Sequence, residues 1–302
     1  MTAPFGDRVT EAVQRVGNPI VLGLDPHLDR LPGSFGERAR DPALPRAERA
    51  RAVGDFLIEV LDVARGRIPC VKPQSAFFEL FGADGVRELE RVTERARDAG
   101  FLVIADVKRG DIGSTAAAYA AGLLVGHPGD ETAAHLSDAA TVNPYLGTDS
   151  VRPFVDACAR AGAGIFVLVR TSNPSSDEFQ RVGEPSVAER VADAVHAWGE
   201  ELRGASGWSS IGAVVGATQT GELESLRARM PHTPFLLPGY GAQGAGPKDV
   251  APAFASGLEG ALVNSSRGLL FPPRDAGDDD WKSATSRAID AMAHELGGVL
   301  GR

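Results

Sequence analysis

Eight short apolar segments recur along the chain, each followed by a longer amphipathic stretch, and this alternation limits the possible folds most strongly. The segments lie at 19–25, 68–74, 101–108, 140–145, 164–171, 211–218, 234–239 and 261–266. Continuously apolar strands that each precede a helix are typical of a parallel sheet covered by helices. Eight such units in 302 residues predict one domain, a (β/α)8 TIM barrel over 1–302. A doubly wound open sheet is the alternative, because a strand count from sequence is easily off by one.

The stretches between the apolar segments differ in length. Helical periodicity is clearest at 51–66, 85–100, 186–203, 221–230 and 281–300. Two connections, 27–50 and 172–185, are longer than usual, and both follow predicted strand ends. Long βα loops at the carboxyl ends of barrel strands commonly act as lids or binding loops, with a disordered insertion as the alternative.

Composition narrows the class of protein. The net charge of −9 and the scattered lysines and arginines argue against a nucleic-acid-binding role. Cys70 and Cys158 lack metal-ligand spacing, which predicts buried free thiols. The first residues lack a signal-peptide core, and no apolar run approaches the roughly 18 residues of a membrane span. We therefore expect a cytoplasmic soluble protein without a membrane partner.

The stretch "ADVKRGDIGST", 105–115, places charged side chains directly after a buried apolar run. In an extended strand, Asp106 and Lys108 point to the same face, and Asp111 follows three residues later. An ordinary surface salt bridge is one interpretation of such a pair. The position favours another interpretation, because polar side chains at the carboxyl ends of barrel strands converge on one mouth.

Other polar residues occupy equivalent positions on neighbouring strands. The full set at or just after strand ends is Asp25, Lys72, Asp106, Lys108, Ser172, Gln243 and Arg267. The first four alternate in charge across three adjacent strands, and charges buried in a barrel mouth must pair with one another to offset desolvation. This alternation predicts a functional site.

The segment "LLPGYGAQGAG" contains G-x-G-x-x-G at Gly239, Gly241 and Gly244. A dinucleotide-binding fold would place this motif after a first strand, whereas here it follows the seventh. The loops after strands 7 and 8 form the usual phosphate site of a TIM barrel. Free backbone N–H groups, the Gln243 amide and the Arg267 guanidinium would suit a phosphate monoester. The sequence therefore predicts a phosphorylated small-molecule substrate.

Several motifs occur together in a recognisable order. The sequence "DVKRGDIGSTAAAY", with "GLDP", "VKPQ", "RTSNP", "PGYGAQG" and "NSSRG", resembles orotidine 5′-phosphate decarboxylases, especially the longer bacterial form. The resemblance extends from about residue 20 to 270. It implies conversion of orotidine 5′-phosphate to UMP and carbon dioxide in de novo pyrimidine biosynthesis, by a homodimer that uses no cofactor or metal.

The resemblance also implies roles in the chemical step. Lys108 would protonate C6 of the pyrimidine as carbon dioxide departs, and Asp106 would face the substrate carboxylate and hold that lysine. Lys72 would complete the charged network. Asp111 and Thr115 would reach across the dimer interface into the neighbouring subunit's site, near the ribose.

Further residues are implied in substrate binding. Asp25 and Lys72 would bind ribose hydroxyls. Ser172 would hydrogen-bond the pyrimidine ring, with Pro238 against it, while Gln243 and Arg267 would hold the phosphate. One residue, Tyr240, departs from the small aliphatic residue that the family pattern suggests, and this departure puts the closure of its loop in question.

Three alternatives remain open at this point. A sugar-phosphate lyase or aldolase on the same barrel would need a divalent metal, yet the six histidines supply no evident ligand cluster. A Schiff-base aldolase could use Lys108, although flanking carboxylates favour a charged, poorly nucleophilic lysine. A non-catalytic phosphate-binding barrel would explain the glycine loop but not the converging charges.

Overall fold

Eight parallel strands close into a barrel in sequence order. The structure, a computed structural model, describes residues 2–126, 137–241, 244–254, 257–273 and 280–300. The strands are β1 Ile20–Leu24, β2 Cys70–Pro73, β3 Leu102–Arg109, β4 Ala139–Val142, β5 Gly164–Arg170, β6 Ile211–Val215, β7 Phe235–Leu237 and β8 Ala261–Ser265. Each lies within or overlaps one of the eight predicted segments, so the predicted TIM barrel is confirmed. The open-sheet alternative is wrong, because β1 pairs with both β2 and β8.

Helices surround the barrel. They are α1 Phe5–Val16, α2 Gly33–Arg40, α3 Arg46–Ala64, α4 Ser75–Glu79, α5 Gly82–Asp98, α6 Gly113–Ala120, α7 Thr148–Ala161, α8 Asp177–Gln180, α9 Val187–Glu200, α10 Thr220–Arg229, α11 Pro247–Val250, α12 Arg267–Leu270 and α13 Trp281–Val299. All five of the stretches with the clearest helical periodicity contain a helix. Their apolar faces pack on the outer surface of the strands, which explains why the strands are apolar on both faces.

Helix α1 closes the amino-terminal end of the barrel. Phe5 is buried and meets Phe166 of β5 edge to face, with ring centroids 5.9 Å apart. Gly164 makes room for it, since a Cβ there would lie 2.2 Å from the Phe5 ring. With this end filled by apolar side chains, the carboxyl end is left for a site.

The two long connections contain regular structure of their own. The 27–50 connection contains α2 and the first turn of α3, and the 172–185 connection contains a 3-10 turn and α8. Helix α2 packs on the rest of the molecule through Phe35, whose partly buried ring contacts Phe56 and Trp281 at centroid distances of 5.8 and 6.3 Å. That contact joins residues far apart in the chain and leaves no local sequence pattern.

Two remaining expectations concern the cysteines and the membrane. Cys70 and Cys158 are buried and unpaired, as predicted, and burial raises the pKa of both thiols. No helix in the described ranges is both long enough and apolar enough to cross a bilayer.

Candidate active site

An array of three alternating charges lies at the carboxyl ends of β2 and β3, and it consists of Lys72, Asp106 and Lys108. The Asp106 carboxylate accepts a hydrogen bond from Lys72 Nζ on one oxygen and from Lys108 Nζ on the other, both at 2.5 Å. Lys72 and Asp106 are buried, whereas the Lys108 side chain is 48% exposed. The array therefore presents one ammonium to the cavity and keeps the other beneath it.

Lys108 reaches this position through an irregular backbone. It has φ of +45°, the one positive value at a non-glycine residue in the described part of the chain, and the β3–β4 register shifts between Ala105 and Arg109. A left-handed conformation costs about 1–2 kcal/mol at a residue with a side chain. Asp106 and Lys108 do point the same way, as predicted, but at a bulge and not in a regular strand.

Thr141 on β4 supports the bulge. Its hydroxyl accepts hydrogen bonds from the backbone N–H groups of Val107 and Lys108, at 3.0 and 2.9 Å, and donates to Asp106 at 3.1 Å. One buried hydroxyl thus uses its whole hydrogen-bonding capacity on the strained segment. Sequence reasoning missed Thr141, although a polar residue inside the apolar run "AATV" was an available signal.

The opposite charges of the array stabilise one another's ionised forms. Burial alone would raise the pKa of Asp106, but Lys72 and Lys108 outweigh it and lower the pKa to about 2. Burial would likewise lower the pKa of Lys72, yet Asp106 and Asp25 raise it above the usual lysine value. At neutral pH the carboxylate and the buried ammonium are therefore both ionised.

Two buried oxygen acceptors lie beside the array without a donor. Asp25, just after β1, and Asn264, on β8, each have an Oδ1 atom with no hydrogen-bond partner among the described residues. Gly23 leaves space here, since a Cβ would lie 2.0 Å from Ser266 Oγ. A buried acceptor without a donor costs about 1–3 kcal/mol, so these atoms suit the hydroxyl groups of a ligand.

Most of the predicted site residues line two adjoining cavities. One cavity is lined by Asp25, Lys72, Asp106, Pro238 and Arg267, among others. The second shares its wall of Lys72, Asp106 and Pro238 with the first, and adds Lys108 and Ser172. The cavities therefore form one elongated site, with Arg267 at one end and Ser172 at the other.

Two of the predicted residues, Asp111 and Thr115, do not line these cavities. Asp111 lies beyond the end of β3, where its carboxylate accepts a hydrogen bond from the Ile112 N–H at 2.8 Å. Thr115 is exposed on the first turn of α6. Gln243 lies outside the described residues.

Sequence reasoning also missed residues that line the site. His27 and Asn264 lie in the Arg267 cavity, and Asn173 and Gln180 lie in the Ser172 cavity. Asn264 carried a signal, because it is a polar residue within the apolar run of the eighth strand. The others lie in connections whose paths the sequence did not define.

Tyr240 anchors the glycine loop after β7. It is buried, lines the Arg267 cavity, and its hydroxyl donates to Glu295 Oε2 of α13 at 2.8 Å. Just beyond it, the Gly241 N–H donates to the Ala245 carbonyl at 2.8 Å. The tyrosine that departs from the family pattern thus links the loop to the last helix.

No group of three or more His, Cys, Asp or Glu side chains is placed to hold a metal ion within the residues that the structure describes. His127 and His135 fall outside those residues.

Known proteins resemble this chain over nearly its full length. The family model described as "Orotidine 5′-phosphate decarboxylase / HUMPS family" matches residues 18–274. The orotidine 5′-phosphate decarboxylase of Rhodopirellula baltica is 41% identical over 306 residues, which cover 97% of this chain and 99% of that protein. The Deinococcus radiodurans protein of the same name is 43% identical over 302 residues and covers both chains fully.

One solved structure is similar to this chain in both sequence and fold. Leishmania donovani OMP decarboxylase is 30% identical, superposes with a TM-score of 0.73, and aligns over 99% of this chain and 100% of its own. The family match spans the whole barrel, and the relatives match from end to end. The chain belongs to the orotidine 5′-phosphate decarboxylase / HUMPS family.

Proposed function

We infer that this chain is an orotidine 5′-phosphate decarboxylase, a carboxy-lyase that forms UMP and carbon dioxide in pyrimidine biosynthesis. Its full-length relatives carry that name. The observation that carries the inference is the Lys72–Asp106–Lys108 array, which faces a cavity whose far end holds Arg267. A cytoplasmic location is part of the proposal.

The array suits a decarboxylation that has no electron sink. When the bond from C6 to the carboxylate carbon breaks, carbon dioxide leaves and the electron pair remains on C6. The Lys108 ammonium is the exposed end of the array, so it can stabilise this carbanion and then donate a proton to it. Asp106, ionised and fixed by two lysines, would oppose the substrate carboxylate until it leaves as a neutral molecule.

The rest of the site would bind the substrate. Arg267, with Gln243, would hold the phosphate, and Asp25 and Lys72 would bind ribose hydroxyls. The unpartnered Asp25 Oδ1 supports this role, because a ribose hydroxyl would supply its missing donor. At the other end, Ser172 and Pro238 line the wall where the pyrimidine would lie. Binding energy from the remote phosphate would help to position the ring.

We propose a homodimer in which Asp111 and Thr115 complete the partner's site. Both residues lie away from the cavities of their own barrel. Near them, large apolar side chains are exposed after β3 and β4: Ile112 is 55% exposed, Tyr145 85% and Leu146 51%. An apolar surface at the rim of the barrel mouth is suited to contact with a second copy.

The test is the loss of ultraviolet absorbance as orotidine 5′-phosphate is consumed, in the presence of a chelator. We expect activity to survive exhaustive chelation, because the proposed chemistry uses only the lysines and carboxylates of the array. If chelation abolished activity and magnesium restored it, a metal-dependent sugar-phosphate lyase would be the better assignment. Nucleotide binding without turnover would instead indicate a non-catalytic barrel.

A further inference from the structure

Arg170, at the carboxyl end of β5, is a buried cation that the proposed chemistry does not use. It is only 1% exposed. Its Nε donates to Glu222 at 2.8 Å, its Nη1 to Ser176 at 2.5 Å, and its Nη2 to Asp177 at 2.5 Å. A fully buried guanidinium is stable only when its donors are satisfied and its charge is paired. Here two carboxylates provide the pairing.

These partners come from two neighbouring connections at the barrel mouth. Ser176 and Asp177 belong to the 172–185 connection, whereas Glu222 lies in the first turn of α10, after β6. The Arg170 Nη2 atom also donates to the Gln219 side chain at 3.0 Å, in the second connection. Arg170 therefore joins the connection after its own strand to the next one.

The same cluster holds the backbone of Thr171 from both sides. Gln180, a weaker partner of Arg170 at 3.4 Å, accepts from the Thr171 N–H at 2.8 Å, and its amide donates to the Thr171 hydroxyl at 2.8 Å. Gln219 donates to the Thr171 carbonyl at 3.2 Å. Both peptide groups of Thr171 are thus fixed to side chains that Arg170 also binds.

Ser172 comes next, and it has no room to move toward β6. A Cβ at Gly216 would lie 2.9 Å from the Ser172 nitrogen, Cα and Cβ. Ser172 therefore packs against the Gly216 backbone, and it directly follows Thr171, whose peptide groups the partners of Arg170 hold. Thr171, Ser172 and Asn173 line the same cavity as Lys108.

We propose that Arg170 is a positioning residue for the pyrimidine end of the site, and that it fixes the wall formed by Thr171, Ser172 and Asn173. The inference rests on the proposed function, because that function assigns the pyrimidine to this wall. Arg170 does not touch the substrate. It acts through Gln180 and Gln219, and the phosphate end at Arg267 is independent of it.

The test compares two ligands that share the phosphate but differ in the ring. Binding of UMP and of inorganic phosphate is measured by calorimetry on Arg170→Met, a variant of similar length without donors. We expect UMP affinity to fall about tenfold or more, while phosphate affinity stays within about twofold, since tenfold corresponds to about 1.4 kcal/mol. The control is Arg181→Gln, which removes a half-exposed guanidinium from the same Asp177 and Glu222, and should leave both affinities unchanged.

Equal affinities for UMP in Arg170→Met and wild type would overturn the inference, as would a parallel loss of both ligands. If Arg170→Met does not fold, the same binding measurements are made on Gln219→Met. This variant removes the hydrogen bond to the Thr171 carbonyl and leaves Arg170 paired with both carboxylates. It should weaken UMP binding selectively, and no selective loss would again reject the inference. A wild-type protein that binds UMP but does not decarboxylate orotidine 5′-phosphate would refute the proposed function alone, since these binding measurements need no turnover.

Discussion

Asp106 is the residue on which the charged array depends. Both lysines donate to its two oxygens, and Thr141 adds a third hydrogen bond. Removal of this carboxylate would leave Lys72 buried without its closest counter-ion, which is a large penalty in a low-dielectric site. The arrangement makes Lys72 a support for the carboxylate and leaves Lys108 free to act on a ligand.

Chemistry and anchoring are separated along the site, and two single substitutions should show it. Lys108→Ala removes a charge needed mainly in the transition state, so kcat should fall by at least about 10²–10³-fold while nucleotide binding stays measurable. Arg267→Ala removes phosphate contacts remote from the breaking bond, so KM should rise about 10- to 100-fold with a smaller effect on kcat. Steady-state kinetics and UMP titration would measure both. The same kinetic pattern in the two variants would contradict this separation.

The lowered pKa of Asp106 predicts a defined pH dependence of stability. Its pKa is about 2 in the folded protein, against 3.8 for an unperturbed aspartate. A depressed carboxyl pKa stabilises the fold fully above the unfolded value, and this contribution is lost as pH falls through the folded value. The free energy of unfolding of wild type, relative to Asp106→Asn, should be constant above about pH 5 and shrink between about pH 4 and 2. Denaturant titrations across this range would test it, and a difference independent of pH would show that the carboxylate is not preferentially ionised in the fold.

At the level of elements, the sequence was sufficient where the signal is local. Apolar runs followed by helical periodicity predicted all eight strands, and charges at strand ends predicted the Lys72–Asp106–Lys108 row. The sequence was insufficient where distant residues decide the geometry. The bulge at Lys108 depends on the Thr141 hydroxyl from the next strand, and α2 depends on Trp281 from the last helix. No pattern within β3 or α2 encodes those partners.

The loop after β7 offers an element-scale prediction. Tyr240→Phe removes the hydrogen bond to Glu295 but keeps the ring in place. Loss of about 0.5–1.5 kcal/mol of anchoring should raise KM about two- to tenfold and change kcat less, because the loop borders the phosphate end. Glu295→Gln keeps an acceptor at the same position and should have a smaller effect on KM. A lower unfolding temperature with an unchanged KM would show that this hydrogen bond stabilises the fold without shaping the site.

At the scale of the whole molecule, the proposed dimer explains why two predicted site residues lie outside the cavities. Asp111 and Thr115 follow β3, beyond the bulge that turns Lys108 inward. A twofold axis near the exposed Ile112 would bring each copy of this segment to the other's site, because a symmetric interface applies the same contact twice. Each active site would then be built from both chains.

A subunit-mixing experiment tests this shared construction. Lys108→Ala and Asp111→Ala should each be inactive as homodimers, since every site lacks one essential group. After subunit exchange, a heterodimer would contain one site with both defects and one intact site. Activity should therefore return, up to about half of the wild-type value per heterodimer by symmetry. Mass spectrometry would confirm exchange, and mixing of Lys108→Ala with wild type would show that exchange itself does not alter the rate. Confirmed heterodimers without recovered activity would mean that Asp111 serves its own subunit, and the shared-site model would then be rejected.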